Sequence, residues 1–242
     1  MHERIAADLR DEIMSGELAP GSPLPSTAQL KERFGASNAT IQKSVQVLKD
    51  EGLVVGRAGA SITVREHRRR VMEPARFLAP AEAGQPYRWI SEAATRGFQG
   101  SSKLLNVAEV TPPRDVRRAL NLGEGESALL RSQVLMLDGE PAELVHSYYP
   151  LDIARGTALM ERRKVRGGTP TLLAELGHTA SKSVDLVSAC PPTQEQFEAL
   201  ELPSELPILR TFRVVYCEEG HAIEVTVMAK AGHLYELQYE FS

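Results

Sequence analysis

Two short helical segments joined by a glycine turn lie near the start of the chain and constrain the fold more than any other feature. Ser26 and Gln29 have the spacing of a capping box, which predicts a helix that ends at Gly35. Ser37 caps a second predicted helix, which Gly52 stops. Two short helices joined by a turn of about three or four residues are typical of a helix-turn-helix motif.

The flanking segments predict a winged version of this motif. Apolar residues at Ile5, Leu9 and Ile13 predict a first helix over 3–15. Residues 53–55 and 61–64 predict two short strands around a turn. A small helical domain that binds a protein is the alternative interpretation.

The residues that carry this pattern resemble the DNA-binding domain of the GntR family of bacterial transcription regulators. The matching positions before and in the first helix of the motif are Gly16, Leu18, Pro20, Gly21, Leu24, Pro25, Ser26 and Leu30. The matching positions from the end of the first helix onwards are Phe34, Gly35, Ser37, Thr40, Ile41, Leu48, Glu51, Gly52 and Leu53. The resemblance implies a domain that binds double-stranded DNA.

Candidate DNA contacts lie at the helix starts, on the second helix and in the wing. They are Ser26, Thr27, Ser37, Asn38, Thr40, Gln42, Lys43, Arg57, Gly59 and Ser61. Members of the family usually have arginines at three reading positions, where this chain has Ala28, Asn38 and Gln42. Because arginine favours guanine while asparagine and glutamine favour adenine, we expect an operator less dependent on guanine. Simple helix capping is the alternative role for Ser26 and Ser37.

Composition argues against several other classes of protein. The 242 residues carry a net charge of −4, but residues 1–70 hold 11 Lys/Arg against 9 Asp/Glu, or +2, and residues 71–242 hold 17 against 23, or −6. We expect no membrane helix, no secretory signal and a cytoplasmic location. Cys190 and Cys217 cannot form a disulfide framework or a four-ligand zinc site. The six histidines form no metal-spaced pair, so we expect no metal, cofactor or catalytic residue.

The second part of the chain contains an internal repeat. Residues 112–145 resemble residues 191–226, and each copy predicts a helix, a strand, a hairpin turn and a second strand. Two copies predict pseudo-symmetry within one α+β domain that has a mainly antiparallel sheet. We therefore predict a winged helix-turn-helix domain over 1–66, a linker over 67–82 and an α+β domain over 83–242.

This organisation resembles the UTRA ligand-binding domain of the HutC-like subfamily, whose fold is similar to that of chorismate lyase. The residues that carry the resemblance are Asp138-Gly139-Glu140-Pro141, Ser147-Tyr148-Tyr149-Pro150, Ala199-Leu200, Leu202 and Gly232-His233-Leu234-Tyr235. The resemblance implies that this domain binds a small-molecule effector, forms a homodimer and releases DNA when the effector binds. We expect a repressor whose operator is roughly palindromic, because winged-helix dimers read paired half-sites. The alternatives are a DNA-binding dimer without an effector and an enzyme similar to chorismate lyase.

Candidate effector-binding residues combine charged, hydroxyl and aromatic side chains. They are Arg131, Glu143, Tyr148, Glu224, Arg96 and Ser101. Members that sense phosphosugars commonly have an Arg-x-Arg pair where this chain has Gln133 and Leu135. We therefore expect an effector less anionic and more apolar than a sugar phosphate. The alternatives are an ion pair for Arg131, solvent-facing strand positions for the two glutamates and core or dimer packing for Tyr148. We expect Trp89 to be a core residue, with a ligand platform as its alternative role.

Overall fold

The computed structural model divides into two compact units. It describes residues 1–56, 61–65, 70–73, 79–82, 84–202, 207–232 and 235–239. The first unit consists mainly of Met1–Arg70, and the second contains Val71–Glu201 and Pro207–Ser242. Among the described residues, no helix combines the length and the apolar character that crossing a bilayer requires.

Three helices and a short hairpin form the first unit. The helices are α1 (His2–Ser15), α2 (Thr27–Phe34) and α3 (Asn38–Asp50), and the strands are β1 (Val54–Val55) and β2 (Thr63–Val64). Gly16 and Gly35 end α1 and α2 with φ of 87° and 59°, a left-handed conformation that favours glycine. The winged helix-turn-helix expected from the sequence is confirmed.

An apolar core and an ion pair fix the helices of the first unit. Leu9, Ile41 and Leu48 are fully buried at the centre of this core. Arg10 donates from Nε to the Glu51 carboxylate at 2.8 Å and makes a second contact through Nη2, which ties α1 to the end of α3. The same apolar spacing that predicted the helices therefore places their inner faces together.

The second unit is built on one antiparallel sheet of six strands in the order β4-β5-β6-β9-β8-β7. These strands are β4 (Gly100–Val110), β5 (Ala128–Leu137), β6 (Glu140–Pro150), β7 (Ala180–Cys190), β8 (Ile208–Cys217) and β9 (Ala222–Ala231). A separate pair is formed by β3 (Arg70–Met72) and β10 (Tyr235–Leu237). The helices are α4 (Arg88–Thr95), α5 (Arg114–Ala119), α6 (Leu151–Ala154), α7 (Thr169–Glu175) and α8 (Gln194–Ala199).

The internal repeat relates the two halves of this sheet. Each half contains an edge strand, a helix and a hairpin: β4, α5, β5 and β6 in one copy, and β7, α8, β8 and β9 in the other. His146 and Val227, which occupy equivalent positions in the two copies, pair directly where β6 meets β9. The pseudo-twofold axis therefore passes through this pair. The sequence analysis found the helix and hairpin of each copy but missed the edge strand that precedes them.

The two faces of the sheet bury different side chains. One face holds Tyr148, Phe212 and Val225 against Val116 of α5. The opposite face carries Tyr149 and Val215 in one apolar cluster and Trp89 of α4 in another. Because successive side chains along a strand point to opposite faces, neighbouring residues such as Tyr148 and Tyr149 have separate surroundings.

Candidate functional site

Hydroxyl groups begin both helices of the helix-turn-helix motif. Ser26 Oγ accepts from the Gln29 backbone N–H at 3.3 Å, and Gln29 Oε1 accepts from the Ser26 backbone N–H at 2.8 Å, which completes the capping box. Ser37 Oγ accepts from the Thr40 backbone N–H at 3.2 Å and lies 2.9 Å from Thr40 Oγ1. The capping role of Ser26 and Ser37 is therefore present, and both residues are exposed.

The outer face of α3 presents polar side chains. Asn38, Gln42 and Lys43 are exposed, whereas Ile41 between them is fully buried. Gln42 Nε2 lies 3.5 Å from Thr27 Oγ1 at the start of α2, so this amide is only weakly held. A helix of this kind offers two amide groups that match the adenine edge in the major groove and one ammonium group that matches a phosphate.

The wing supplies the remaining candidate DNA contacts. Val54 and Val55 pair with Val64 and Thr63 in an antiparallel hairpin. Ser61 is exposed just before β2. Arg57 and Gly59 lie outside the described residues.

A cavity of about 370 Å³ lies in the second unit, on the sheet face that carries Tyr149. The strands contribute neutral polar lining through Ser102 of β4, Gln133 of β5 and Ser147 of β6. Lys164 and Arg166 are exposed and contribute to the wall that precedes α7. The cavity therefore combines hydrogen-bonding groups on the strands with positive charge on the adjoining segment.

The predicted effector residue Arg131 contributes to this cavity but is largely occupied. Its guanidinium donates to the backbone carbonyls of Leu159, Glu161 and Arg163 at 2.5, 2.9 and 2.7 Å. Burial lowers the pKa of Arg131, although the nearby Tyr149 and Glu161 act in the opposite direction. Arg131 consequently fastens the segment 159–163 to the sheet. The ion pair that was its alternative role is replaced by these carbonyl contacts.

Tyr149, rather than the predicted Tyr148, faces the cavity. Tyr148 is buried on the opposite face of the sheet in contact with the α5 cluster, as its alternative core role proposed. The Tyr149 side chain is fully buried, and its hydroxyl makes no hydrogen bond of good geometry among the described residues. Burial raises the pKa of Tyr149 well above its ordinary value, although the nearby Thr169 and Ser147 hydroxyls act in the opposite direction, so the phenol remains protonated. A buried donor without a well-formed hydrogen bond at a cavity wall is a candidate binding group for a ligand oxygen.

The two predicted glutamates lie in a smaller adjoining space of about 60 Å³ rather than in the main cavity. Glu143 is only 2% exposed, accepts from Trp89 Nε1 at 3.3 Å and lies 3.7 Å from Lys230 Nζ. Glu224 accepts from Thr226 Oγ1 at 2.6 Å. Neither faces solvent, because Glu224, like Glu143, is buried. The alternative of solvent-facing positions is therefore wrong.

Equivalent positions of the two copies line this smaller space. Gln133 and Arg213 form one such pair, and Glu143 and Glu224 form another. Arg213 is held by two hydrogen bonds of 2.6 Å to Asp185 on the edge strand β7. The space thus lies near the pseudo-twofold axis, with different charges contributed from the two sides.

Arg96 and Ser101, the other two candidates, lie away from both spaces. Arg96 donates to Glu92 at 3.2 Å and to the Val71 carbonyl at 2.8 Å, and it also contacts Glu73. It therefore joins α4 to β3. Ser101 is exposed on β4, and its neighbour Ser102 faces the main cavity instead. The alternation of side chains along β4 explains this exchange.

Comparison with protein families covers nearly the whole chain. The family of bacterial regulatory proteins named gntR matches residues 1–64, and the UTRA domain family matches residues 95–236. The chain belongs to the GntR family and carries a UTRA domain. Its two units are consequently a DNA-binding domain and a ligand-binding domain, and the chain is a transcriptional regulator rather than an enzyme.

Individual relatives of this GntR-family chain are regulators of similar length. It is 22% identical to the HTH-type transcriptional regulator GgaR of Escherichia coli, over 97% of this chain and 88% of the relative. It is also 22% identical to the HTH-type transcriptional repressor NagR of Bacillus subtilis, over 93% and 87%. The crystal structure of PhnF from Mycobacterium smegmatis matches 98% of this chain and 99% of that chain, with a TM-score of 0.61 and 19% identity. The last comparison shows a shared fold.

Sequence analysis missed several residues of the UTRA cavity. Tyr149, Gln133 and Ser147 alternate with the residues of the opposite face, so a correct assignment of strand faces identifies them. Lys164 and Arg166 lie in an irregular segment whose pattern carries no periodic signal. Only the folded chain brings that segment beside β5 and β6.

Proposed function

We propose that this chain is a dimeric repressor that binds a roughly palindromic operator and releases it when a small molecule enters the UTRA cavity. The observation that carries the proposal is the cavity of about 370 Å³, at whose wall the buried Tyr149 hydroxyl makes no well-formed hydrogen bond. A repressor of this kind needs an effector that binds the two conformations of the dimer with different affinity. Winged-helix dimers read paired half-sites, which favours a palindrome.

The cavity favours an effector that is polar and less anionic than a sugar phosphate. Gln133, Ser147 and Ser102 supply neutral hydrogen-bonding groups from the strands. Most N–H groups of Arg131 already bind carbonyls, so this residue has little capacity left for a dianion. Lys164 and the nearby Arg166 suit a single carboxylate of the effector at the cavity entrance.

A ligand series tests the effector. Thermal unfolding of the full chain is measured with a hexose, the corresponding hexuronate and the corresponding hexose phosphate. We expect stabilisation by the uronate to exceed that by the phosphate, and Tyr149→Phe to reduce it because only the hydroxyl is lost. Tyr148→Phe is the matched control, since Tyr148 lies on the other face. Preference for the phosphate, or equal losses in the two variants, contradicts this assignment.

The exposed face of α3 favours a half-site that depends little on guanine. Asn38 and Gln42 replace two arginines that family members usually carry, and amide side chains pair best with adenine. Binding sites are selected from random DNA and ranked by gel shift. We expect essential adenines, and a half-site rich in essential guanines refutes this assignment.

A matched pair of variants tests which residue of α3 reads DNA. Gln42→Ala removes the amide nearest the start of α2, whereas Gln46→Ala removes an exposed amide that already donates to Asp50 at 2.7 Å. We expect Gln42→Ala to weaken operator binding by about 1–3 kcal/mol and Gln46→Ala to have a smaller effect.

Sedimentation of the protein–operator complex gives the number of chains bound, and one chain per full operator contradicts the dimer.

A further inference from the structure

The hairpin between β8 and β9 brings three metal-ligating side chains together at a place that DNA and effector binding do not use. Cys217 ends β8, Glu219 lies in the turn and His221 precedes β9. One ligand atom from each residue lies within 4.8 Å of the other two. The Nδ1 atom of His221 is 3.8 Å from Oε2 of Glu219.

These separations are close to those of a tetrahedral metal site. Zinc lies about 2.0–2.3 Å from its nitrogen, oxygen and sulfur ligands, which places two ligand atoms about 3.3–3.8 Å apart. Nitrogen and oxygen ligands lie near the lower end of this range, so the imidazole–carboxylate distance needs to shorten by about 0.5 Å. The separations from the sulfur need to shorten by about 1.3 Å or less. Rotation of the exposed Glu219 and His221 side chains supplies such a movement, because both are about 80% exposed.

The backbone holds Cys217 and His221 in place before any ligand binds. The Cys217 N–H donates to the His221 carbonyl at 3.0 Å, and the Gly220 N–H donates to the Cys217 carbonyl at 3.0 Å. Gly220 adopts a left-handed φ of 81°, which closes the turn. Ion binding therefore costs mainly the conformational entropy of the Glu219 and His221 side chains.

The donor set selects the class of ion. A thiolate, an imidazole and a carboxylate suit a borderline ion such as Zn²⁺, whereas Mg²⁺ and Ca²⁺ prefer oxygen ligands alone. Cys217 is 7% exposed and lies at a cavity of about 620 Å³, which His178 and Asp152 also line. Three protein ligands leave one coordination position for water or for a group in this cavity.

The repeat shows that the fold does not require these three residues. The equivalent hairpin between β5 and β6 has a shorter turn, Asp138-Gly139, flanked by Leu137 and Glu140. It contains neither cysteine nor histidine. The ligand residues are thus a property of one copy. Rules for histidine pairs and four-ligand zinc sites omit the Cys-x-Glu-x-His spacing, which is why the sequence analysis expected no metal site.

We propose that Cys217, Glu219 and His221 bind one divalent transition-metal ion of the Zn²⁺ type at the β8–β9 hairpin. The ion cross-links the two strands at the turn and stabilises the second unit. This site is independent of the proposed effector cavity.

Titration of the untagged, chelator-treated full chain with Co²⁺ and then Zn²⁺ tests the proposal. We expect one equivalent of Co²⁺ to give a thiolate-to-cobalt charge-transfer absorption that Zn²⁺ abolishes. Cys217→Ser removes this absorption, and Cys190→Ser, which changes the other cysteine, retains it. Competition with a chromophoric chelator measures Zn²⁺ affinity. We expect Glu219→Gln to weaken it by at least about tenfold, since loss of even an outer-shell partner has that effect.

Two further variants make the result decisive. Glu218→Gln changes the adjacent glutamate and leaves the ligand set intact, so its Zn²⁺ affinity stays within about twofold of the wild type. His221→Ala changes an exposed side chain, so the chain still folds, and it weakens Zn²⁺ binding as Glu219→Gln does. The proposal is overturned if the wild type gives no charge-transfer absorption, if Cys217→Ser retains it, or if Glu218→Gln and Glu219→Gln bind Zn²⁺ equally.

Discussion

Replacing Arg131 with methionine tests whether this residue fastens the segment 159–163 or serves the effector alone. Methionine keeps much of the apolar length of the side chain and removes the guanidinium. Three carbonyls then lose their donors, those of Leu159, Glu161 and Arg163. The bond to Leu159 is buried, whereas the other two are partly exposed, so water replaces the lost donor most readily at Glu161 and Arg163.

The expected cost follows from this difference in exposure. An unsatisfied buried carbonyl costs about 1–3 kcal/mol, and two solvated carbonyls add about 1 kcal/mol together. We therefore expect Arg131→Met to lower the free energy of unfolding of the second unit by about 2–4 kcal/mol. With a urea dependence of about 2 kcal/mol per molar, the midpoint falls by about 1–2 M. Arg131→Lys loses nearly as much, because one ammonium cannot replace the planar fork.

The single tryptophan makes this measurement specific for the second unit. Trp89 of α4 is 1% exposed in a core of the second unit, so its fluorescence follows the unfolding of this unit alone. Hydrogen exchange is expected to increase over residues 159–163 in Arg131→Met. If Arg131 serves only a ligand, removing a buried cation relieves a desolvation cost and the unliganded protein becomes more stable. An unchanged or higher urea midpoint therefore refutes the reasoning.

Three further substitutions test a buried ion pair, a helix cap and the packing of a core residue. Lys230→Met leaves Glu143 buried without its cation and lowers the free energy of unfolding by about 3 kcal/mol, measured by Trp89 fluorescence. Burial lowers the pKa of Lys230, so the unfolded chain binds more protons and wild-type stability rises with pH towards about 10.4, a rise that Lys230→Met lacks. Ser37→Ala lowers the thermal stability of the first unit by about 1 kcal/mol through the lost cap, measured by circular dichroism. Ile41→Ala costs about 2–5 kcal/mol in that unit by creating a cavity.

Each of these variants has a matched control substitution. Lys182→Met alters an exposed lysine on β7 and is expected to keep the wild-type pH dependence. Ser15→Ala, at the end of α1, removes a hydroxyl that caps no helix start and is expected to change little. Gln42→Ala, next to Ile41, leaves stability unchanged. Equal losses within any of these pairs contradict the corresponding argument.

Sequence patterns predicted the first unit well because its information is local. The cap at Ser26, the cap at Ser37 and the turn at Gly35 each act within a few residues, and the apolar stripes select the inner faces. The hairpins of the second unit were also predictable from the repeat. The edge strands β4 and β7 were missed because both are largely exposed and lack a clear alternation of apolar side chains.

The candidate effector site was predicted only in part because it depends on strand faces and on long-range contacts. Choosing Tyr148 in place of Tyr149 shifts a side chain to the other face of β6. The occupation of Arg131 by carbonyls about 30 residues away leaves no local mark in the sequence. The contacts of Arg96 are equally hard to predict, since Val71 lies on β3 and Glu73 directly follows it, more than 20 residues away in the sequence.

The small space beside the pseudo-twofold axis has a consequence for the redesign of this protein. Gln133 and Arg213 are equivalent residues of the two copies and both line this space, whereas the other equivalent pair, Glu143 and Glu224, is identical. In a site lined twice by the same positions, a substitution in one copy alters half of the lining and leaves the other half unchanged. An asymmetric ligand preference is therefore obtained by changing one copy, without rebuilding the sheet that supports both halves.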